Sequence, residues 1–571
     1  MAAFLNAFND LGHKITLQNI LYKNLDGSEQ IIWTAILNLL ILLPFIFFYK
    51  ASGALSDSNA KPKLMAKLAL VAIIFMSLIA VGYFLGLFWF AFWGTLLLGI
   101  QAAFYSPAKF GFVAQIAPTS KLSFANGQIQ AVSIGAILCG ILAYSAIFEL
   151  LANGNSIKQM MQSIWPIAIL LIFGFLIEFL FLKKISKVHH KIIPANEDTF
   201  NKSKYFITSF ALAIIFGVSQ AILAIFPAFA KEHFQNPSVL AVQASLAISL
   251  IGIAIGSLSA SKVSKNSIDL GVAHIGGFIF ASSALLLPFS ATLQISAFLT
   301  FLIGLGAGLA IAILNAWLNF NSPENFRGTV MAYSNYIQNI IMVLFLTLTT
   351  IGAIYEFSSL VLLVSVASIA VFANLFFILN RPDQFLHTFV CLIFRIRYKV
   401  EVNGLENLKT DKSLILCGNH ISWIDWAIIA IASPKKVIFM MERSIYQKKF
   451  LKWFLDIFEV IPVSQNASKN AIQNSSNALK KNKLLAIFPE GAISSQNQLG
   501  DFQKGAILLS KTNNVKIIPF GINGLWGSRF SRSTNKTNKF EIRRKIVVNF
   551  GKENDFENET ELKNAVQALL N

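Results

Sequence analysis

Two residues able to share a proton, His420 and Asp425, stand with four residues between them just after an apolar run that ends at Cys417. A short apolar run of this kind predicts a β-strand, so the pair belongs to a strand-to-helix turn. In such a turn the carboxylate can accept a hydrogen bond from one ring nitrogen, which fixes the tautomer and leaves the other nitrogen to take a proton. The spacing favours a general base oriented by an acid, although a single histidine at a strand end is more often structural.

The elements that must position this pair are short and alternate along the chain. Apolar bursts predict strands at residues 413–417, 437–440, 484–488 and 515–520, and the stretches between them predict helices. Strands that alternate with helices indicate an α/β domain. We expect this domain to occupy residues 382–571.

Ordered blocks extend the motif. Asn419-His420-x4-Asp425 is followed about 70 residues later by Phe488-Pro489-Glu490-Gly491, and then by Phe502-Gln-Lys504-Gly505-Ala506 and Ile517-Ile-Pro519. This series resembles the glycerolipid acyltransferase superfamily. The resemblance implies that His420 deprotonates a glycerol hydroxyl, which attacks an acyl thioester directly, and that Asp425 orients the histidine. It further implies acyl-coenzyme A or acyl carrier protein as the acyl donor and no bound cofactor.

The same resemblance implies an acceptor site. Asn419, Glu490 and Gly491 are expected to position the acceptor, the glutamate by hydrogen bonding to glycerol and the glycine by allowing close backbone approach. Members that act on lysophosphatidic acid usually carry arginines after the Phe-Pro-Glu-Gly block and after the preceding strand, but Ala492-Ile493-Ser494 and Ile461-Pro462-Val463-Ser464 stand there. Because bidentate arginine suits a phosphate monoester, this departure argues for a lysophospholipid acceptor with a head group. Lys504 or Arg443 would then provide a lone cation.

The rest of the chain has a membrane composition. Of its 571 residues 55% are hydrophobic and only 13% are charged. Apolar windows predict twelve spanning helices before Arg381, a boundary that assigns residues 1–381 to a first domain. The windows are residues 2–21, 31–49, 66–83, 86–106, 125–148, 163–182, 205–229, 238–260, 270–288, 293–317, 329–352 and 357–380.

Charge indicates the orientation. With the N-terminus inside, fifteen Lys and Arg residues of the first domain fall on the cytoplasmic side and only Lys23, Lys158 and Lys231 on the other. This asymmetry predicts a multi-pass protein of the cytoplasmic (inner) membrane whose second domain is cytoplasmic. That domain carries 27 basic against 16 acidic residues, which favours contact with anionic membrane lipids. No basic helix or aromatic stacking motif indicates nucleic acid binding, and the three cysteines have no zinc-site or disulfide spacing.

The first domain repeats itself. Gly53-Ala-Leu-Ser-Asp57 follows the second predicted span, with Lys61 four residues further on, and Gly256-Ser-Leu-Ser-Ala260 follows the eighth. A parallel six-plus-six repeat explains this spacing, and the first copy resembles the loop motif of the major facilitator superfamily. The resemblance implies that Asp57 and Lys61 latch neighbouring helix ends, although both could be ordinary solvated charges.

A second block resembles the lysophospholipid transporter family within that superfamily. It contains Tyr105-Ser-Pro-Ala-Lys109-Phe-Gly111, Thr119-Ser-Lys121-Leu and Ala125-Asn126-Gly127. The resemblance implies a lysophospholipid substrate flipped inward. Lys109 could hold its phosphate or merely extend towards the membrane surface.

Charge also lies within the first predicted span, where Asp10 and Lys14 share one helix face. They could contact a head group or form a structural ion pair.

Together these patterns predict a transporter that delivers lysophospholipid to a fused enzyme, which reacylates it. Two alternatives remain open. The enzyme could acylate lysophosphatidate in new lipid synthesis beside a transporter of unrelated substrate, or the second domain could bind lipid without catalysis.

Overall fold

The computed structural model describes residues 2–116, 122–154, 156–185, 202–235, 237–263, 269–322, 327–408, 412–433, 435–464, 468–534 and 543–570. The chain forms two compact units. One contains Met1–Ser264 and Val272–Asn380, and the other contains Lys265–Gly271 and Arg381–Asn571.

The described secondary structure of the first unit is entirely helical. Its helices are α1 (Ala2–Asn24), α2 (Gly27–Phe47), α3 (Tyr49–Ser58), α4 (Lys61–Leu85), α5 (Phe88–Ile116), α6 (Leu122–Leu151), α7 (Ile157–Ser163), α8 (Trp165–Ile185), α9 (Lys202–His233), α10 (Val239–Val263), α11 (Leu270–Leu286), α12 (Leu293–Asn321), α13 (Arg327–Ile354) and α14 (Ser359–Asn380). Eleven helices among the described residues are long and apolar enough to cross a membrane, namely all of these except α1, α3 and α7. The protein is therefore a multi-pass membrane protein.

Helix α1 occupies the first predicted span but is less apolar than the other spans. Its 23 residues are long enough to cross a bilayer. However, Asn6, Asn9, His13, Thr16 and Asn19 recur every three or four residues on one face and are all at most 3% exposed. A polar face turned into a helical bundle lowers the mean hydropathy without placing those groups in lipid. The sequence did not predict α3 and α7, which are too short to produce an apolar window.

Close helix packing in this unit depends on glycine. Gly252 and Gly256 on α10 face α12, where Gly304 and Gly308 face α10 in return. A Cβ at any of the four would collide with a backbone carbonyl of the opposite helix. Spacing of four residues on both helices is the small-residue pattern that lets membrane helices approach. In the repeated motif, close approach thus occurs at Gly256, whereas Gly53 has open space where a Cβ would lie.

The second unit is an α/β domain. Its strands are β1 (Tyr398–Asn403), β2 (Leu414–Gly418), β3 (Val437–Glu442), β4 (Ile461–Val463), β5 (Leu484–Ile487), β6 (Ile517–Asn523) and β7 (Arg544–Phe550). They form one sheet in the order β1-β7-β6-β2-β5-β3-β4, parallel except for the β6–β7 pair. Its helices are α15 (Pro382–Arg397), α16 (Asp425–Ala432), α17 (Arg443–Tyr446), α18 (Lys449–Ile457), α19 (Ser468–Lys480), α20 (Gly505–Asn513) and α21 (Glu559–Ala568).

The central strands are buried on both faces, as parallel strands between helices usually are. On β2, Leu416 packs into one apolar cluster and its neighbour Ile415 into another, because successive side chains point to opposite faces. Cys417 on β2 pairs with Ile487 on β5. Since His420 and Glu490 each follow these partners by three residues, the register brings both to the same edge of the sheet.

Candidate active site and transport residues

The turn after β2 holds His420 and Asp425 in direct contact. Nδ1 of His420 lies 2.7 Å from Oδ2 of Asp425, which is fully buried at the first residue of α16. The same Oδ2 accepts hydrogen bonds from the backbone N–H groups of Ile421 at 2.7 Å and Ser422 at 2.9 Å. Because two backbone donors converge on this oxygen, it acts as an acceptor and His420 donates to it from Nδ1. Nε2 is left as the nitrogen that can take a proton.

The protonation of Asp425 is set by opposing effects. Burial raises the pKa of its carboxyl, whereas the contact with His420 and the two backbone N–H groups act in the opposite direction. The start of α16 also favours a negative charge, since partial positive charge collects at a helix N-terminus. The carboxylate is thus held ready to stabilise a protonated imidazole.

The ring of His420 is held from its face as well. It stacks on Phe488, with ring centroids 4.4 Å apart and planes 19° from parallel. Its side chain keeps 22% exposure. Stacking and the carboxylate contact together fix the ring while one edge remains accessible to a ligand.

Glu490 fastens the loop after β5 to the backbone of His420. Its Oε1 accepts from the His420 N–H at 2.8 Å and its Oε2 accepts from the Gly500 N–H at 2.9 Å. Burial raises the pKa of Glu490, and these two N–H groups counteract that shift. The Ser494 N–H donates to the His420 carbonyl at 2.7 Å. In the structure the Glu490 carboxylate therefore holds the turn that carries the histidine, and its expected hydrogen bond to glycerol stays a prediction.

The other expected acceptor residues have different positions in the second unit. The Asn419 amide exchanges hydrogen bonds of 2.8 and 3.0 Å with the backbone of Ile522, so it fastens the turn to β6. Gly491 has φ of +70°, a conformation that favours glycine. Lys504 directly precedes α20 and Arg443 begins α17, and both are exposed.

In the first unit, a buried histidine that the sequence reasoning missed joins three helices. His13 on α1 contacts the Tyr83 hydroxyl at 3.0 Å through Nδ1, and Thr95 Oγ1 at 3.1 Å and the Ala91 carbonyl at 3.2 Å through Nε2. Since a carbonyl can only accept, Nε2 carries the proton. The three-to-four-residue spacing of polar residues along α1 was the signal that could have identified His13.

The predicted transport residues are dispersed along the first unit. Lys109 on α5 donates to Asn6 Oδ1 on α1 at 3.3 Å, and Lys61 donates to the Ser56 carbonyl at 3.2 Å. Lys14 is partly buried on α1. The side chains of Asp10 and Asp57 lie outside the described residues, as do Thr119 to Lys121 of the second block.

At the end of the bundle where α1 finishes, Lys231 of α9 links the first and second halves of the predicted six-plus-six repeat. Its Nζ donates to the carbonyls of Tyr22 at 3.0 Å and Leu25 at 3.1 Å and pairs with Asp26 at 2.5 Å. The carbonyls at a helix C-terminus attract cations. Tyr22 also donates to the Pro237 carbonyl at 2.6 Å. Lys231 thus forms a latch between the two halves.

We expect Lys231→Met to open this latch, because methionine keeps the length of the side chain but supplies neither charge nor donors. Spin labels at L150C on α6 and H233C on α9, in a Cys139→Ala background, measure the separation of the two halves. The population of molecules in which the two labelled helices are further apart should rise on the order of 10-fold. Lys158→Met, which removes a cation from α7, is the matched control. Identical distance distributions in Lys231→Met and the unsubstituted protein would show that Lys231 does not hold the two halves together.

Comparison with known families bears on both units. The profile of the Major Facilitator Superfamily matches residues 1–346, and the Acyltransferase profile matches residues 399–523. A solved POT family transporter in complex with a thioalcohol-conjugated peptide has TM-score 0.54 and 11% identity, over 67% of this chain and 96% of that one. The first unit therefore shares that transporter's fold.

Two curated relatives each match one unit. The lysophospholipid transporter LplT of Serratia proteamaculans is 33% identical over 145 residues, 25% of this chain and 33% of the relative. The chloroplastic 1-acyl-sn-glycerol-3-phosphate acyltransferase of Arabidopsis thaliana is 26% identical over 132 residues, 22% of this chain and 36% of the relative. The chain thus spans about a third of the length of each. With more than half of its residues matched by one family profile, the chain belongs to the Major Facilitator Superfamily and carries a fused acyltransferase-family domain.

Proposed function

We propose that residues 1–381 move lysophospholipid from the outer to the inner leaflet of the cytoplasmic membrane and that residues 382–571 reacylate it. The acyl donor is a thioester of coenzyme A or acyl carrier protein. The observation that carries the enzymatic half is the 2.7 Å contact between His420 Nδ1 and Asp425 Oδ2 on a turn held by Glu490.

In the proposed reaction, Nε2 of His420 takes the proton of the free glycerol hydroxyl. The oxygen attacks the thioester carbonyl, an ester bond forms, and the carbon–sulfur bond breaks. The imidazolium, stabilised by Asp425, returns its proton to the departing thiolate. The acyl group passes directly from the thioester to the glycerol oxygen, and the hydroxyl proton ends on the thiol, so no acyl-enzyme intermediate is formed. The site therefore requires one base and its orienting carboxylate.

The transport half of the proposal is supported by the likeness to the lysophospholipid transporter and by the polar face of α1. A head group carries charge, and a charge can cross between helices only where polar side chains replace water. Asp10 and Lys14 are proposed to contact that head group, and Lys109 its phosphate. Asp57 and Lys61 are proposed to latch neighbouring helix ends. The second domain is proposed to lie on the cytoplasmic side of the membrane.

A second candidate function is acylation of lysophosphatidate in new lipid synthesis. The named activity of the Arabidopsis thaliana relative favours it, since that relative is a 1-acyl-sn-glycerol-3-phosphate acyltransferase. The absence of the expected arginines at Ala492 to Ser494 argues against it. A purely lipid-binding second domain would have no use for the His420–Asp425 contact.

Sealed right-side-out vesicles test the coupled function. Labelled lysophosphatidylethanolamine is added outside with the acyl donor trapped inside. The unsubstituted protein should form diacyl lipid, His420→Ala should accumulate internal lysolipid, and Asp10→Ala should block entry. Acylation only of lysophosphatidate supplied on the cytoplasmic face would instead assign the domain to new lipid synthesis.

Glu490 gives a prediction that separates positioning from acceptor binding. Glu490→Ala leaves the His420 N–H without its carboxylate partner, so kcat should fall by roughly 10- to 100-fold while KM for the acceptor changes little. Glu490→Gln, which keeps one accepting oxygen, should retain more activity than alanine. Steady-state kinetics with varied acceptor measure both constants. A rise in acceptor KM at constant kcat would instead support the acceptor-binding role expected from the sequence.

A further inference from the structure

A segment distant in sequence lies beside the His420 turn. Trp423 donates its backbone N–H to the Phe530 carbonyl at 3.1 Å, and Ser422 forms an isolated antiparallel bridge with Ser531. The segment makes its own tight turn, in which Ser531 Oγ donates to the Ser528 carbonyl at 2.9 Å. Residues 528–532 are therefore attached to the same turn that carries the general base.

This attachment brings an arginine onto an aromatic ring of the motif. Cζ of Arg532 lies 5.9 Å from the centroid of the Trp423 ring, and Trp423 is 51% exposed only three residues after His420. Contact with a ring face positions a guanidinium by its charge, and the N–H edge of the group is what binds an oxyanion. Arg532 itself is exposed.

A lysophospholipid acceptor brings a phosphate close to the turn that carries His420. Its free hydroxyl must reach His420, and its phosphate is attached to the neighbouring glycerol carbon. The arginines expected after the Phe-Pro-Glu-Gly block are replaced by Ala492-Ile493-Ser494. Of the two cations suggested by sequence, Arg443 begins α17, and Lys504 follows Gln503, whose N–H donates to the Pro489 carbonyl at 2.8 Å. The Arg532 segment instead contacts Ser422 and Trp423, which lie between His420 and Asp425.

We propose that Arg532, held on the Trp423 ring, binds the phosphate of the acyl acceptor. This inference rests on the proposed acyl transfer and adds the group that selects phosphate-bearing acceptors. Arginine suits the task because its planar N–H fork matches two phosphate oxygens at once.

Acyl transfer by the purified full-length protein tests the proposal with two acceptors. Lysophosphatidylethanolamine carries the phosphate and 1-monoacylglycerol does not. Arg532→Ala should raise KM for lysophosphatidylethanolamine by roughly 10-fold or more and leave the kinetics with monoacylglycerol unchanged. Arg532→Lys should restore part of the loss, since it returns charge without the fork. Lys516→Ala, which removes an exposed cation paired with Glu553 next to the other end of β6, is the matched control.

Three results would overturn the proposal. Equal losses with both acceptors would mean that the contact between Trp423 and Arg532 serves membrane attachment or folding. An unchanged KM would place the phosphate elsewhere. If the unsubstituted protein acylates neither acceptor, the proposed function fails. The fluorescence of Trp423 on addition of sn-glycerol 3-phosphate then tests the phosphate site by itself. A saturable response to sn-glycerol 3-phosphate, absent in Trp423→Phe and Arg532→Ala, would then preserve the phosphate site, and no response would refute it.

Discussion

His420→Ala is expected to lower kcat for acyl transfer by roughly 10²- to 10⁴-fold, the usual contribution of a positioned general base. The loss follows from the geometry of the turn. Asp425 fixes one ring nitrogen at 2.7 Å, so the second nitrogen is the group that can take the hydroxyl proton. His420 belongs to the second unit, whereas transport is proposed for the first. Uptake of labelled lysophospholipid should therefore continue while diacyl lipid no longer forms.

The same substitution should preserve the fold of the second unit. Without the ring, Asp425 still accepts from the N–H groups of Ile421 and Ser422. The buried carboxylate thus keeps two donors, and thermal unfolding should change little. Asp425→Ala removes the acceptor of both N–H groups and should reduce activity and stability together. Full acyl transfer by a folded His420→Ala protein would exclude His420 as the base.

Much of this site follows from sequence because its parts are local. His420 and Asp425 belong to one turn, and the apolar run before them predicts the strand that places them there. Predicting that Glu490 accepts from the His420 backbone requires the register of β2 on β5, which the spacing of 70 residues does not specify. The contact of Arg532 with Trp423 requires the path of the chain after β6.

The sheet was predicted in part for a related reason. Four strands were expected from continuous apolar runs, and all four are present. The three others have shorter or interrupted runs. β1 alternates polar or charged residues with apolar ones, β7 begins with Arg544 and Lys545 and has Asn549 before its last residue, and β4 has only three residues, one of them Pro462. Local composition is therefore informative for buried strands and weak for the edge of the sheet.

The spanning helices follow from hydropathy, but the way they pack does not. The spacing of a close helix pair is present on α10 at Gly252 and Gly256 and on α12 at Gly304 and Gly308. The sequence alone cannot state which helices pair. The repeat drew attention to Gly53 and Gly256 equally, yet only Gly256 lies against a neighbouring backbone. The difference arises because the two copies of the repeat have different partners in the fold.

Gly304→Ala is expected to destabilise the first unit by about 3 kcal/mol, at the upper end of the cost of overpacking. A Cβ here would collide with the Ser249 carbonyl of α10, and backbone cannot rotate away as a side chain does. The two helices would have to separate, which breaks the contacts of Gly252, Gly256 and Gly308 at the same time. Thermal unfolding of the purified protein, together with the yield of monodisperse material, measures the loss.

Gly135→Ala on α6 is the matched control for this prediction. It makes the same chemical change within a spanning helix, but open space surrounds its Cβ position. Alanine is the better helix former, by about 1 kcal/mol in water, so this variant should be as stable as the unsubstituted protein or more so. The two substitutions should thus act in opposite directions. Equal stability of both variants would show that α10 and α12 can shift apart without cost, and that the paired glycines do not set their separation.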